Sequence, residues 1–205
     1  MKLAILCSFM VLSTLPRIAA QPWQKPIEKW SDADARRVLS ASPWAKRTTP
    51  KLRSASGAPD RGPAMPSKVT VRWESAMPVQ QAHRKKGSAP IADAGKSYYA
   101  IGIAGFRPDA SEAQFEPSAA EASLRYCDRD PAAATSMRVL RDADGQPFIV
   151  FLFPVTGAIR EPGIFRPFPI DFRPNKFHFV AQIGPIEIRQ TFSLRDMLYL
   201  RHLEL

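Results

Sequence analysis

The stretch from Phe148 to Phe153, FIVFLF, is the most hydrophobic part of the chain after the apolar run near its beginning. Six consecutive apolar residues indicate a strand buried on both faces, because a strand with one solvent face alternates apolar and polar residues. Residues 136–141 precede it, separated by Asp142-Ala143-Asp144-Gly145. Asp and Gly between two apolar runs are typical of a hairpin turn. The sequence therefore predicts a hairpin whose second strand is central in a sheet.

Further strands are predicted on both sides of this hairpin. They cover residues 69–74, 97–104, 122–127, 176–183, 186–192 and 197–205. In the first of them Val69, Val71 and Trp73 would face the core, while Arg72 and Glu74 would face solvent. Residues 83–96 are predicted to form a loop. Seven to nine strands over residues 68–205 predict an all-β fold, an antiparallel β-sandwich.

Residues 21–45 are predicted to form a tryptophan-rich helical segment. Ser31 can cap a helix whose first turn carries acids, and Pro43 would end it. Trp23, Trp30 and Trp44 surround this helix, which is too short to be stable alone in water. The segment is therefore expected to dock, either on its own domain or on a protein partner, and both possibilities stay open.

Residues 46–67 are predicted to be a disordered basic linker. Proline and glycine recur there among lysine and arginine, and the only large apolar residues are Leu52 and Met65. Such a segment buries too little surface to offset the entropy lost on ordering. It would join the helical segment to a sandwich domain spanning residues 68–205.

Residues 1–20 have the order of parts of a secretory signal peptide. Lys2 is followed by an uncharged, mostly apolar run over residues 3–15, and Ile18-Ala19-Ala20 offers a cleavage site. A membrane-spanning helix needs about 20 apolar residues, which this run lacks. We therefore expect an exported protein, periplasmic or extracellular, with no transmembrane segment after removal of the signal.

The formal net charge of +10 favours contact with anionic surfaces. For an exported protein these would be phospholipid head groups, lipopolysaccharide or acidic glycans, and no nucleic acid is expected. After cleavage Cys127 would be the only cysteine, so no internal disulfide could form. The fold is therefore predicted to depend on packing alone.

One candidate binding surface combines arginine and phenylalanine near residues 160–177. Arginine beside aromatic rings suits anionic or planar groups. A proline-rich strand edge with its phenylalanines in the core explains the same pattern. The candidate binding residues are Arg160, Phe165, Arg166, Phe168, Arg173 and Lys176, together with Trp23, Trp30 and Trp44.

A metal site is a further possibility. Two histidines and a carboxylate, His178, His202 and Glu204, could bind a metal if their two strands were adjacent. Polar positions on the solvent face of a sheet explain the same residues. No motif for a cofactor is present, and none is predicted.

Catalytic motifs are also missing, since the chain has no Gly-x-Ser-x-Gly and no His-Glu-x-x-His sequence. A glycan-active enzyme would instead need two paired carboxylates. Glu74 with Asp171, or Glu74 with Glu187, could supply such a pair.

Three blocks resemble motifs of uncharacterised exported proteins of acidobacterial type. They are KP…WS…SPWAK over residues 25–46, WESAxP over residues 73–78, and FxLxDMxY…LEL over residues 192–205. The resemblance implies a secreted location and no particular activity. The sequence thus predicts a non-catalytic binding or interaction module. An envelope hydrolase or glycan-active enzyme and a metal-binding periplasmic protein are the alternatives.

Overall fold

A computed structural model describes residues 21–53, 66–89, 91, 97–106, 120–127, 130–155 and 176–205. The predicted all-β antiparallel fold is confirmed: two five-stranded antiparallel sheets share one core. The strands are β1 Ala45–Thr48, β2 Lys51–Leu52, β3 Val69–Trp73, β4 Tyr98–Ala104, β5 Ala120–Tyr126, β6 Ala132–Ala133, β7 Ser136–Arg141, β8 Pro147–Pro154, β9 Lys176–Ile183, β10 Ile186–Ser193, β11 Leu198–Tyr199 and β12 His202–Leu203. The helices are α1 Asp32–Ser40 and α2 Met77–Lys85, preceded by 3-10 turns at Pro22–Gln24 and Ile27–Lys29.

The first sheet has the order β1-β3-β4-β8-β7, and the second has the order β2-β10-β9-β5-β6. Strands β11 and β12 form a separate hairpin. Strands β1 and β2 lie only two residues apart in sequence but belong to different sheets. The chain therefore crosses between the sheets at Thr49-Pro50.

Strand β8 occupies the position that its apolar run predicts. It pairs with β4 on one side and β7 on the other, and residues 147–153 are all buried. Phe151 lies on the inner face, where its ring centroid is 6.2 Å from that of Phe179 in the second sheet. Phe148, Val150 and Leu152 belong to a second, smaller core on the outer face. The strand is apolar throughout because both of its faces are covered.

The predicted β7–β8 hairpin is confirmed, and the predicted strands β9 and β10 also pair as a hairpin. In the β7–β8 turn the Asp142 carboxylate accepts hydrogen bonds from the N–H groups of Asp144 and Gln146, at 3.0 and 2.9 Å. Gly145 has φ +74°, a left-handed conformation that glycine adopts without strain. Strands β9 and β10 pair over their full length on either side of Gly184.

Helix α2 covers the outer face of the first sheet, where Arg72 and Glu74 were expected to face solvent. It lies where no helix was predicted and includes His83, which was assigned to a loop. Its first turn contains Pro78, and its last turn contains His83, Arg84 and Lys85, as suits the two ends of a helix dipole. Helices α1 and α2 pack against each other.

The C-terminal strand prediction is also wrong. Residues 197–205 form the short β11–β12 hairpin and not one strand. Leu200 and Arg201 have φ values of 47° and 71°, which place both in the left-handed region and reverse the chain.

The N-terminal segment is part of the sandwich. Helix α1 is confirmed, with the Ser31 hydroxyl accepting from the Asp34 N–H at 3.2 Å. The prediction of a disordered linker over residues 46–67 is wrong for its first residues. Strand β1 includes residues 46–48, and strand β2 consists of residues 51–52. Residues 54–65 of the predicted linker and residues 1–20, the predicted signal peptide, lie outside the described residues. Within the described part of the chain, we find no helix with the length and apolarity needed to cross a bilayer.

Candidate functional site

Two of the three tryptophans proposed for binding are core residues. Trp30 and Trp44 are 3% and 0% exposed. The Trp30 indole N–H donates to the Pro22 carbonyl at 2.8 Å, and that of Trp44 donates to the Glu204 carbonyl at 2.8 Å. Neither ring is available to a partner, so the segment docks on its own domain.

Of the other predicted binding residues, Lys176 is exposed at the start of β9, on the second sheet. Arg160, Phe165, Arg166, Phe168 and Arg173 lie outside the described residues. The predicted arginine–phenylalanine surface therefore stays a prediction.

The predicted metal site does not form. His178 lies on β9 and contacts the Thr191 hydroxyl through Nδ1 at 3.1 Å, whereas His202 and Glu204 belong to the C-terminal hairpin region. Among the residues that the structure describes, no three His, Cys, Asp or Glu side chains are grouped to hold a metal. Burial raises the pKa of the Glu204 carboxyl, while the interaction with His202 and the Met77 N–H at the start of α2 oppose that shift. Glu204 therefore interacts both with His202 and with the first turn of α2.

Trp23 lines a groove of about 630 Å³, which we call the basic groove. Its cations are Arg37 from α1 with Lys46 and Arg47 from β1, and Asp196 is its one acid. None of these three cations makes an ion pair within the described ranges. The groove therefore presents an excess of unpaired positive charge beside an aromatic ring.

The basic groove is positioned by the core beneath it. Trp23 contacts Trp44 edge to face, with ring centroids 6.2 Å apart and planes at 85°. Trp44 leads directly into β1, and its carbonyl accepts from the Trp73 N–H at 2.8 Å. The half-buried Trp23 ring is therefore held by packing against a fully buried one.

A second constellation lies on the outer face of the first sheet beneath α2. One Glu74 carboxylate oxygen accepts from Arg72 Nε at 2.6 Å, and the other lies 2.8 Å from His83 Nε2. The three side chains are 7% exposed or less. We call Arg72, Glu74 and His83 the buried ion cluster.

The buried ion cluster keeps Glu74 ionised. Burial by itself would raise the pKa of this carboxyl, but the Arg72 charge and the His83 hydrogen bond outweigh it and hold the pKa below its usual value. An ionised carboxylate only accepts, so His83 Nε2 carries the proton of their bond. Arg72 also lies 5.0 Å above the ring centroid of Phe148, and its Nη2 has no hydrogen-bond partner among the described residues.

Gly102 on β4 leaves the room that Glu74 needs. A Cβ at this position would overlap Glu74 Oε1 and would lie 2.8 Å from its Cγ. We predict that Gly102→Ala lowers the free energy of unfolding by about 1–3 kcal/mol, because the carboxylate must move away from its partners. Urea denaturation measures this loss. The same substitution at Gly87, where a Cβ meets nothing within 4 Å, adds only the strain of its positive φ. Equal losses at both sites would show that the carboxylate is not displaced.

The carboxylate pair considered for a glycan-active enzyme does not form between Glu74 and Glu187. Glu74 lies beneath α2 on the outer side of the first sheet, whereas Glu187 is on the solvent side of the second sheet beside Arg189. Asp171 is outside the described residues. Glu74 and Glu187 therefore cannot act on one substrate, and the pair of Glu74 with Asp171 stays a prediction.

Sequence reasoning missed the buried ion cluster because it depends on a helix that the residue pattern did not predict. Arg72 and Glu74 alternate with core residues and so resemble a solvent face. The one available signal is the cationic end of α2, His83-Arg84-Lys85, which follows Pro78 by five residues and suits a helix C-terminus.

No protein-family model, curated protein or solved structure matches this chain. The resemblance to acidobacterial exported proteins accordingly stays a prediction, and function has to be inferred from the geometry of the groove and the cluster.

Proposed function

We propose that this protein is an exported, non-catalytic binding module that holds an acidic glycan chain of the cell envelope in its basic groove. The observation that carries the proposal is that the groove places Arg37, Lys46 and Arg47, which have no ion pair among the described residues, beside Trp23. Export is supported by the signal-peptide pattern of residues 1–20.

The chemistry of the groove fits a negatively charged sugar polymer. Arg37, Lys46 and Arg47 offer donors and positive charge for carboxylate or sulfate groups. The Trp23 ring is an apolar, rigid surface on which the C–H face of a sugar can lie. Because Asp196 is the only acid in the lining, the net field in the groove attracts anions.

A glycan chain fits the groove better than a membrane surface does. Peripheral membrane binding needs apolar side chains that enter the lipid next to the basic residues. The exposed large apolar residues of the described chain are Leu52, Leu198 and Leu200, and none of them lines the groove.

The burial and mutual pairing of an acid and a base support the assignment of the protein as non-catalytic. The Glu74 and His83 side chains bind each other in the interior, where Glu74 is 1% exposed. The groove on the second sheet that contains Glu121, Ser123 and Glu187 has no histidine, lysine or cysteine in its described lining, and Glu187 is paired there with Arg189.

Charge reversal in the groove tests the proposal. We expect Lys46→Glu combined with Arg47→Glu to weaken binding of polygalacturonate at least about tenfold, since two attractions become repulsions. Calorimetric titration of the purified protein measures the affinity. Binding by the unmodified protein should weaken as salt rises from about 0.05 to 0.5 M, because screening shortens the range of each charge.

The matched control carries the same charge change on the other sheet, through Lys176→Glu combined with Arg125→Glu. Both residues are exposed there. This variant should bind polygalacturonate nearly as well as the unmodified protein. A stronger loss in the control than in the groove variant would move the site to the second sheet. Equal binding to vesicles of anionic phospholipid would replace the glycan by a membrane.

A further inference from the structure

A separate pocket of about 240 Å³ lies on the outer face of the first sheet. It is bounded by the end of α2 and the residues that follow, and by the β7–β8 hairpin. His83, Ser88, Arg138, Leu140 and Phe148 are among the residues that line it. The basic groove shares no residue with this pocket.

The floor of the pocket is rigid and aromatic. Phe148 is 5% exposed, and the His83 ring lies nearly parallel to it, with centroids 6.2 Å apart and planes at 14°. His83 is fixed in turn by its 2.8 Å bond to the buried Glu74 carboxylate. A planar apolar group can therefore contact this floor without any reorganisation of the buried ion cluster.

Some polar groups of the pocket have no partner among the described residues, although Arg141 donates to the Gly145 carbonyl at 3.0 Å. The Ser88 hydroxyl oxygen is buried and has no hydrogen-bond partner among the described residues. Arg138, on the exposed side of β7, makes no ion pair or hydrogen bond in the same part of the chain. His83 contacts Glu74 through Nε2, and its Nδ1 has no hydrogen-bond partner among the described residues. Buried polar groups usually have partners, so the buried Ser88 hydroxyl points to a ligand that supplies one, and the exposed Arg138 beside it can pair with an anionic group of that ligand.

We propose that this pocket binds a small carboxylate whose body is a compact apolar ring. The carboxylate would accept from the Arg138 guanidinium and the Ser88 hydroxyl, and the ring would lie against Phe148 and Leu140. The volume is below the usual range of about 300–1,000 Å³ for drug-sized sites, which limits the ligand to a single ring. Guanidinium and carboxylate are complementary in geometry and charge.

The test uses benzoate as the probe and the purified, full protein. We expect saturable binding with one site by titration calorimetry, and backbone amide shifts in NMR spectra confined to α2, β7 and β8. Benzyl alcohol keeps the ring but lacks the charge, and inorganic phosphate keeps the charge but lacks the ring. Both should bind at least about tenfold more weakly than benzoate. Equal affinity for either of them would overturn the proposal.

Two variants locate the site. Arg138→Gln removes the proposed carboxylate partner from an exposed position, so the fold is kept, and benzoate affinity should fall at least about tenfold. Arg125→Gln makes the same change on β5 of the second sheet, where Arg125 is exposed, and should leave the affinity unchanged. Unaltered benzoate binding by Arg138→Gln would refute the assignment. Since the basic groove is a separate surface, polygalacturonate binding should be the same in both variants.

Discussion

Replacing Glu74 by glutamine is expected to lower the free energy of unfolding by about 3–5 kcal/mol at pH 7. The amide keeps the size of the side chain and can still accept hydrogen bonds, so the loss comes from the charge. Arg72 would remain buried at 5% exposure without its counter-ion. The free energy of unfolding of a typical domain is only about 5–15 kcal/mol, so this loss is a large share of it. Urea unfolding followed by tryptophan fluorescence measures it.

The effect of the Glu74 substitution should depend on pH in one direction. The pKa of Glu74 in the folded protein lies below its ordinary value of 4.5, so the unfolded chain takes up the proton first as the pH falls. The stabilisation is complete above about pH 4.5 and is lost as the pH falls through the folded-state pKa. The difference between the glutamine variant and the unmodified protein should therefore be constant near pH 7 and shrink in acid. A difference that grows as the pH falls would contradict the assigned sign.

Two controls separate the buried ion cluster from an ordinary surface pair. Glu187 binds Arg189 through both carboxylate oxygens, at 2.8 and 3.0 Å, and has the same spacing in sequence as Glu74 and Arg72. Glu187→Gln should leave the unfolding midpoint almost unchanged, because solvent screens that pair. In the buried pair, adding Arg72→Met to Glu74→Gln should restore part of the stability, since no unpaired charge then remains. Strict additivity of the two changes would show that the charges do not interact.

The sheets could be predicted because each strand shows its burial in its own residues. Phe148 to Phe153 is apolar throughout and is covered on both faces, whereas β9 alternates and has one face in the core. The turns at Asp142–Gly145 and Gly184 have side chains or backbone angles that local chemistry requires. For these elements the cause of the structure lies within a few residues.

Features that depend on contacts with residues far away in the sequence could not be predicted in this way. Arg72 and Glu74 alternate with core residues, and only the position of α2 above them decides that they are buried. Lys46 and Lys51 suggest a solvated linker by composition, yet their backbone pairs with β3 and β10. Strand pairing supplies the hydrogen bonds that composition alone cannot indicate. The basic groove depends on that pairing, because β1 contributes two of its cations.

In the candidate sites, too, some features have a local cause in the sequence and others depend on residues far away in the chain. Trp23 and Trp44 contact each other, but the distribution of the three tryptophans between core and surface depends on contacts with the C-terminal hairpin region. Trp30 contacts Tyr199 edge to face at 6.1 Å, and Trp44 donates to the Glu204 carbonyl. These partners lie more than 150 residues away in sequence. Only Trp23 retains a face in a groove.

Replacing Trp44 by alanine is expected to lower the free energy of unfolding by about 3–5 kcal/mol, the loss typical of a large buried aromatic residue. Trp44 is fully buried, packs against Trp23, and joins the N-terminal segment to the end of the chain through its indole N–H. Its removal leaves a cavity and an unpaired Glu204 carbonyl. Denaturation in urea, with the midpoint and slope fitted separately, measures the change.

Two matched variants identify what the Trp44 ring contributes. Trp44→Phe keeps most of the ring volume but removes the N–H donor, so it should cost about 1–3 kcal/mol, less than alanine does. Trp23→Ala removes a half-buried ring and should cost less than Trp44→Ala while weakening polygalacturonate binding. An independent appendage that only contacts a partner would give a different result: changing Trp44 would then alter the stability of the sandwich by no more than about 0.5 kcal/mol. We do not expect so small a change, because the hydrogen bond from Trp44 to Glu204 ties residues 21–45 to the C-terminal end of the chain, and both parts belong to the same core.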